Sequence, residues 1–119
     1  MASTPEGKVK QKVRGILDQY PRMYYYMPVP MGFGRPSLDF IGCYNGLGFA
    51  IETKDEGKKP TTRQERTIEE MRASGAAVFV ISGTVDLRYA DLIGWLETNR
   101  PTSHDSPHIP PAQSRRRTL

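Results

Sequence analysis

The first part of the chain arranges its apolar and basic residues with a helical period. Over residues 5–20, one face of a helix carries apolar side chains, and the lysines and arginines lie off that face. Thr4 is a favourable N-cap, and Pro5 suits the first helical position because the N–H that it lacks would have no partner there. The pattern predicts a helix over residues 5–20, ended by Pro21.

Three apolar runs that follow predict strands. The first, residues 23–29, is rich in tyrosine, and the other two, residues 38–44 and 47–54, are joined by Asn45-Gly46. This dipeptide indicates a hairpin, because both central positions of a type I′ turn need a positive φ. Prolines and glycines between the first two runs predict a loop. Its residues 31–37 either contact DNA or a second protomer, or form a plain linker.

The second half of the chain begins with a polar loop over residues 55–60 and a predicted capping box of Thr62 and Glu65. The box predicts a helix that runs to about Ser74, with Gly75 as its C-terminal stop. An apolar run over residues 76–82 then predicts a fourth strand. Further apolar residues over 85–98 predict a closing helix.

This order of elements predicts an α/β or α+β domain with a mixed sheet flanked by helices. The domain covers residues 1–100, since proline, serine, histidine and arginine dominate residues 101–119. We expect that tail to be disordered. Its His104 and His108 have a zinc-like spacing but lack cysteine partners. Its three arginines, residues 115–117, either add nonspecific DNA affinity or only improve solubility.

The composition is that of a soluble globular protein. Of the 119 residues, 37% are hydrophobic and 25% are charged. No apolar run approaches the roughly 20 residues of a membrane span, and no secretory signal is visible. Cys43 has no partner for an intramolecular disulfide, so we expect a reducing, cytoplasmic compartment.

The net charge of +4 is divided between the tail and the domain. Residues beyond 100 contribute three basic and one acidic side chain, whereas the first 100 contribute 14 basic and 12 acidic ones. The domain is therefore only mildly basic. This charge permits a polyanionic partner without requiring one.

Two carboxylates are predicted to lie side by side in the hairpin. A two-residue turn at Asn45-Gly46 sets Asp39 opposite Glu52, and opposed residues of an antiparallel pair have Cβ atoms roughly 4.5–5.5 Å apart. Lys54 lies two residues beyond Glu52, on the same face of its strand. The hairpin therefore groups two acids and a lysine.

Such a pair of carboxylates needs a physical reason. The two strands are otherwise mostly apolar on both faces, which indicates that both faces are covered. Opposed like charges and their desolvation are costly, and a divalent cation such as Mg²⁺ removes that cost by binding carboxylate oxygens. The alternative is that Asp39 and Glu52 lie at strand ends in solvent, with Lys54 as a surface salt-bridge partner.

Short motifs follow one another in order over residues 4–97. They are Thr4-Pro5-Glu6-Gly7, Met27-Pro28-Val29, Asp39-Phe40-Ile41-Gly42-Cys43, Ile51-Glu52-Thr53-Lys54, Lys59-Pro60-Thr61 and Gln64-Glu65-Arg66. The acid near the start of a hairpin, the Glu-x-Lys strand and the following helix, strand and helix resemble the PD-(D/E)XK nuclease superfamily. More closely, they resemble the compact VRR-NUC nucleases of phages and bacteria. One departure is that Leu38 stands where the family usually has the proline of Gly-x-Pro-Asp.

The resemblance implies a role for each residue of the hairpin site and an αβββαβα nuclease core. Asp39 and Glu52 match the metal-binding carboxylates, the backbone carbonyl of Thr53 would complete the metal site, and Lys54 matches the catalytic lysine. The implied cofactor is Mg²⁺ or Mn²⁺. A metal-bound water would attack the phosphodiester with inversion at phosphorus and leave 5′-phosphates.

Two further residues match the family outside the hairpin. Glu6 matches an acid of the first helix that lies near the metal, often through water, although an acid in the first turn is also favoured by the helix dipole alone. Gln64 matches a recurrent glutamine close to the active site and is a candidate catalytic residue; the alternative is an exposed helix position.

Basic and aromatic residues near the predicted site are candidates for DNA contact. The basic candidates are Arg35, Lys58, Lys59 and Arg63. They either hold phosphates or only keep the surface soluble. Three consecutive tyrosines, residues 24–26, can stack on unpaired bases, but an alternating strand with one buried face explains them more simply as core and interface residues.

The expected function is that of a metal-dependent DNA endonuclease. By analogy with Holliday junction resolvases of the same superfamily, we expect a homodimer that cuts branched DNA. One alternative is a monomeric nuclease of flaps or linear DNA. The other is a catalytically silent nucleic-acid-binding module, because a fold does not settle a substrate.

Overall fold

The computed structural model describes residues 4–29 and 34–102. The predicted disordered tail beyond residue 102, with its histidines and arginines, and residues 30–33 of the predicted loop lie outside these residues. Helix α1 spans Pro5–Leu17, and its N-cap Thr4 accepts a hydrogen bond from the amide of Gly7. The helix ends three residues earlier than predicted, because the amide of Tyr20 bonds the Leu17 carbonyl in a tighter turn.

Four strands form one sheet in the order β1-β2-β3-β4. Strand β1 is Met23–Tyr26, β2 is Phe40–Tyr44, β3 is Leu47–Lys54 and β4 is Ala77–Ser82. The first three strands are antiparallel neighbours, whereas β4 runs parallel to β3, so the sheet is mixed as predicted.

The hairpin has the predicted turn and register. Asn45 has φ 49° and Gly46 has φ 85°, as a type I′ turn requires. Phe40 pairs with Ile51 at the open end of the ladder. Asp39 directly precedes β2, so the same register continues toward Glu52.

Helix α2 spans Thr62–Ala73, and its start corrects the prediction by one residue. Thr61 is the N-cap and forms the capping box with Gln64, rather than Thr62 with Glu65. The sequence holds two overlapping boxes, and the helix uses the earlier one. The stop at Gly75 is confirmed by its φ of 101°.

The predicted closing helix is divided into two parts. A 3-10 turn over Asp86–Tyr89 leads into helix α3, Ala90–Thr98. Tyr89 explains this division of the predicted helix, since it is buried and its hydroxyl donates to the carbonyl of Gly83. Leu87 is consequently 80% exposed.

Helices cover the two faces of the sheet unequally. The larger core cluster lies between the sheet and α1 and α3, and includes Val9, Val13, Phe40, Phe49, Ile51, Leu92 and Leu96. The smaller cluster joins Leu38, Ala50, Ile68 and Val78 under α2.

The expectation that the hairpin is covered on both faces is wrong in part, because α2 packs toward β4 and leaves Cys43 exposed.

The fold class is therefore α+β, with a four-stranded mixed sheet and three α-helices in the described residues. Within the same residues, no helix has the length and apolar character to cross a membrane.

Candidate active site

Asp39 is held in place by Thr53 on the neighbouring strand. Its Oδ2 atom accepts hydrogen bonds from the Thr53 amide at 2.9 Å and from the Thr53 hydroxyl at 2.7 Å. Thr53 is fully buried, so this support is rigid. The other carboxylate oxygen, Oδ1, lies 3.9 Å from the Nζ atom of Lys10.

Glu52 is a buried carboxylate beside this aspartate. It is only 2% exposed, and its pKa is raised to about 7. Burial is the largest cause and the negative charge of Asp39 the second, whereas the ammonium of Lys54 and a hydrogen bond from the Asp39 backbone act in the opposite direction. Two acids this close are the feature that the hairpin register predicted.

Lys54 lies on the same side of β3 as Glu52. Its Nζ atom is 3.8 Å from the Oε2 atom of Glu52, and its side chain is 14% exposed. The alternative in which Asp39, Glu52 and Lys54 form a solvent-exposed surface cluster is therefore wrong for Glu52 and Lys54, since both are largely buried.

The backbone of Thr53 also faces Asp39. The Lys54 carbonyl accepts a hydrogen bond from the Gly83 amide, on the β4 side of the strand. Thr53 must therefore point its N–H and C=O to the opposite side, since the backbone groups of successive strand residues alternate. The Thr53 carbonyl is thus directed toward the side of the strand on which Asp39 lies.

Helix α1 contributes a second ion pair to the site. Glu6 accepts a hydrogen bond from Lys10 at 3.0 Å, and the charge of Glu6 contributes to the raised pKa of Glu52. The sequence interpretation placed Lys10 among the solvated residues of the helix and missed its proximity to Asp39. The signal available in the sequence was its i, i+4 spacing from Glu6.

Gln64 is engaged in the cap of α2. Its side-chain oxygen accepts a hydrogen bond from the Thr61 amide at 2.9 Å. The same residue lines a cleft together with Asp39, so its helix-capping role and its candidate catalytic position coexist.

Two clefts meet at this site and contain the predicted DNA-contacting residues. The first is lined by residues that include Asp39, Arg35, Arg63 and Gln64. The second is lined by residues that include Glu6, Lys54, Lys58 and Lys59. Lys10 and Thr61 border both clefts. Basic side chains therefore line both clefts, although Arg35 is also paired with Glu70 at 3.2 Å. Asp39 lines the first cleft, and the buried Glu52 is not among the lining residues of either cleft.

The donor set fits a hard divalent cation. Among residues 4–29 and 34–102, no group of three or more His, Cys, Asp or Glu side chains is arranged to hold a metal. Mg²⁺ commonly uses one or two carboxylates and keeps several waters, which Asp39, Glu52 and the Thr53 carbonyl can satisfy. The Oε2 atom of Glu6 is engaged by Lys10 at 3.0 Å, and a contribution of Glu6 to the metal site, directly or through water, stays a prediction.

The tyrosine strand β1 forms an edge of the sheet. Tyr25 is half-buried and donates to Asp18, whereas Tyr24 and Tyr26 are 69% and 51% exposed. The predicted alternation of a buried and an outward face is confirmed, with Tyr25 on the buried face. An interface role for Tyr24 and Tyr26 stays a prediction.

Comparisons with known protein families, with curated proteins and with solved structures find no match to this chain. The functional assignment therefore rests on the residues of the site and their geometry.

Proposed function

We propose that this protein is a Mg²⁺- or Mn²⁺-dependent deoxyribonuclease with a nuclease core of the PD-(D/E)XK, VRR-NUC-like type. The observation that carries the proposal is the buried carboxylate of Glu52 beside Asp39, with Lys54 on the same side of the strand. Burying an acid beside a second acid costs stability, and a bound cation would offset that cost.

Each residue of the site has a role in phosphodiester hydrolysis. Asp39 and Glu52 would hold the cation, and Thr53 fixes the orientation of Asp39 through two hydrogen bonds. The bound metal ion supplies a nucleophilic water and neutralises charge on the phosphate. Lys54, close to Glu52, is placed to orient that water or to stabilise the negative charge that develops at phosphorus.

The order of elements supports a nuclease core. Helix α1, three antiparallel strands, α2, the parallel strand β4 and α3 follow one another as αβββαβα, the arrangement that the motifs imply. The hairpin provides the acidic pair and the lysine, and α1 provides Glu6 at the same site.

We further propose that the substrate is branched DNA and that a homodimer cuts it. A domain of this size covers little DNA, and two copies would place two sites on the strands of one junction. The basic side chains that line both clefts provide phosphate contacts that position DNA without reading its sequence.

A cleavage panel tests this function. Labelled four-way junction, flap, linear duplex and single-stranded DNA are incubated with Mg²⁺ or Mn²⁺ and the wild-type protein, Asp39→Asn or Lys54→Ala. We expect symmetric junction cleavage by the wild type and by neither variant. Glu69→Gln, an exposed acid on α2, serves as the matched control and should cut like the wild type.

Other outcomes of the panel decide between the alternatives. Cleavage of flaps or linear DNA by a protein that elutes as a monomer would support the monomeric nuclease. Binding without cleavage in either metal, or equal cleavage by the site variants, would refute the nuclease and favour a binding module.

A further inference from the structure

Lys10 lies at the candidate active site although it belongs to the polar side of α1. Its Nζ atom is 3.0 Å from Oε2 of Glu6 and 3.9 Å from Oδ1 of Asp39. Thr53 binds the other oxygen of Asp39, Oδ2. Lys10 therefore faces the oxygen of Asp39 that Thr53 leaves available to a cation.

An ammonium group and a divalent cation compete for the same carboxylate oxygens. Like charges repel more strongly in a partly buried site than in water, because screening is reduced there. A cation bound by Asp39 and Glu52 would therefore drive Lys10 away from Asp39. The lysine side chain is long, flexible and 30% exposed, so it can move while its neighbour Val9 keeps the helix fixed in the core.

The position of Lys10 determines where the displaced ammonium can go. Lys10 borders both clefts, one lined in part by Arg63 and the other by Lys58 and Lys59. An ammonium that swings away from Asp39 remains in the groove in which DNA would lie. Lysine is a common ligand of backbone phosphates.

We propose that Lys10 is the internal counter-ion that a divalent cation displaces from Asp39, and that the displaced ammonium binds a DNA phosphate. The inference rests on the proposed function, because it needs the metal site of Asp39 and Glu52. Metal loading is then coupled to DNA binding through one side chain.

A simpler role for Lys10 makes a different prediction. Glu6 and Lys10 form an i, i+4 pair in the orientation that stabilises helices, and such a pair contributes little to stability. If helix pairing were its sole role, removal of Lys10 would change the melting temperature slightly and leave metal affinity unchanged.

Calorimetric titration of the full chain with Mn²⁺, in the absence of DNA, separates the two roles. We expect Lys10→Met to bind Mn²⁺ about tenfold more tightly than the wild type, because a competing charge has been removed. Lys10→Arg keeps the charge and should bind like the wild type. Lys8→Met removes a lysine from the exposed side of the same helix and serves as the matched control.

DNA binding provides the second measurement. The Lys54→Ala background keeps the DNA intact, and binding of a labelled junction in Mn²⁺ is followed by fluorescence anisotropy at several salt concentrations. Adding Lys10→Met should weaken binding and reduce the magnitude of the slope of log affinity against log salt by about 0.9, the value for one phosphate contact. Lys8→Met should leave the slope unchanged.

The outcomes distinguish this inference from the proposed function. If the wild type binds Mn²⁺ and cuts DNA but Lys10→Met binds Mn²⁺ no more tightly, the counter-ion role is wrong and the nuclease stands. An unchanged salt slope would refute the phosphate contact. If no variant binds Mn²⁺ and the wild type cuts nothing, both proposals fail.

Discussion

At the scale of single residues, the site depends on the environment of Glu52. Its carboxylate is buried, and the charge of Asp39 adds to the cost of ionising it. Thr53 donates two hydrogen bonds to Asp39, whereas the Glu52 carboxylate is buried, so the two acids have different environments. Burial is the main reason that the pKa of Glu52 is raised to about 7.

This raised pKa predicts how stability depends on pH. The pKa of Glu52 in the folded protein, about 7, lies above its ordinary value of 4.5, so the folded state binds the proton more tightly than the unfolded state. The glutamate therefore costs no stability below about pH 4.5, and the cost grows to about 3 kcal/mol above about pH 7. Glu52→Gln should be more stable than the wild type at pH 8.

Thermal unfolding of both proteins from pH 4.5 to pH 8 checks this result, with Glu69→Gln as the control. The advantage of Glu52→Gln should shrink as the pH falls. Added Mn²⁺ should raise the melting temperature of the wild type at pH 8 and not that of Glu52→Gln. A variant that is less stable than the wild type at every pH would contradict the assigned pKa.

The sequence predicted those site residues that one hairpin brings close together. Asp39, Glu52 and Lys54 are related by one hairpin, and a two-residue turn fixes their register. Lys10 could not be found in this way, because its contact with Asp39 depends on how α1 crosses the sheet. The sequence shows a lysine on the polar side of a helix, but not what that side faces.

At the scale of elements, the hairpin of β2 and β3 is the unit that builds the site. Its turn residue Asn45 donates to the Asn99 carbonyl and accepts a hydrogen bond from Arg22, so the turn is also fixed to other parts of the chain. The buried pair Phe40 and Ile51 locks the register at the other end, next to the acids.

Substitution of Gly46 tests the turn. A side chain at a φ of 85° is strained, so Gly46→Ala should lower the free energy of unfolding by about 1–2 kcal/mol. Gly48→Ala, in β3 two residues after the turn glycine and with open space where the added Cβ atom would lie, is the matched control and should change it little. Chemical denaturation measures both values. We expect Mn²⁺ affinity to stay unchanged in Gly46→Ala, since the buried pair of Phe40 and Ile51 holds the register. Equal stability of the two variants would contradict the assigned turn.

The ends of helices were predictable where the sequence offers a single capping or stop signal. One glycine, Gly75, follows α2, and the end of that helix was predicted correctly. The start of α2 has two overlapping capping boxes, and the division of the last helix depends on the burial of Tyr89 against distant residues. Tertiary packing, which local patterns do not contain, decides the second of these boundaries.

At the scale of the whole molecule, three parts of the chain converge on the candidate site and its two clefts. The hairpin supplies the acids and Lys54, α1 supplies Glu6 and Lys10, and the start of α2 with the preceding loop supplies basic residues. The sequence predicted the order of these parts and the mixed sheet. It could not predict that the basic residues divide between two clefts, because this depends on how α1 and the start of α2 approach each other.

The proposed metal site is tested most directly by the rate of DNA cleavage by Glu52→Gln relative to the wild type. The substrate is a labelled four-way junction in Mg²⁺, with Glu69→Gln and an EDTA-treated wild type as controls. We expect Glu52→Gln to fold but to cleave about 100-fold or more slowly, because a proposed metal-binding carboxylate has been removed. Glu69→Gln should retain full activity, and EDTA should abolish it. Cleavage by Glu52→Gln at the wild-type rate would show that this carboxylate does not hold a catalytic metal.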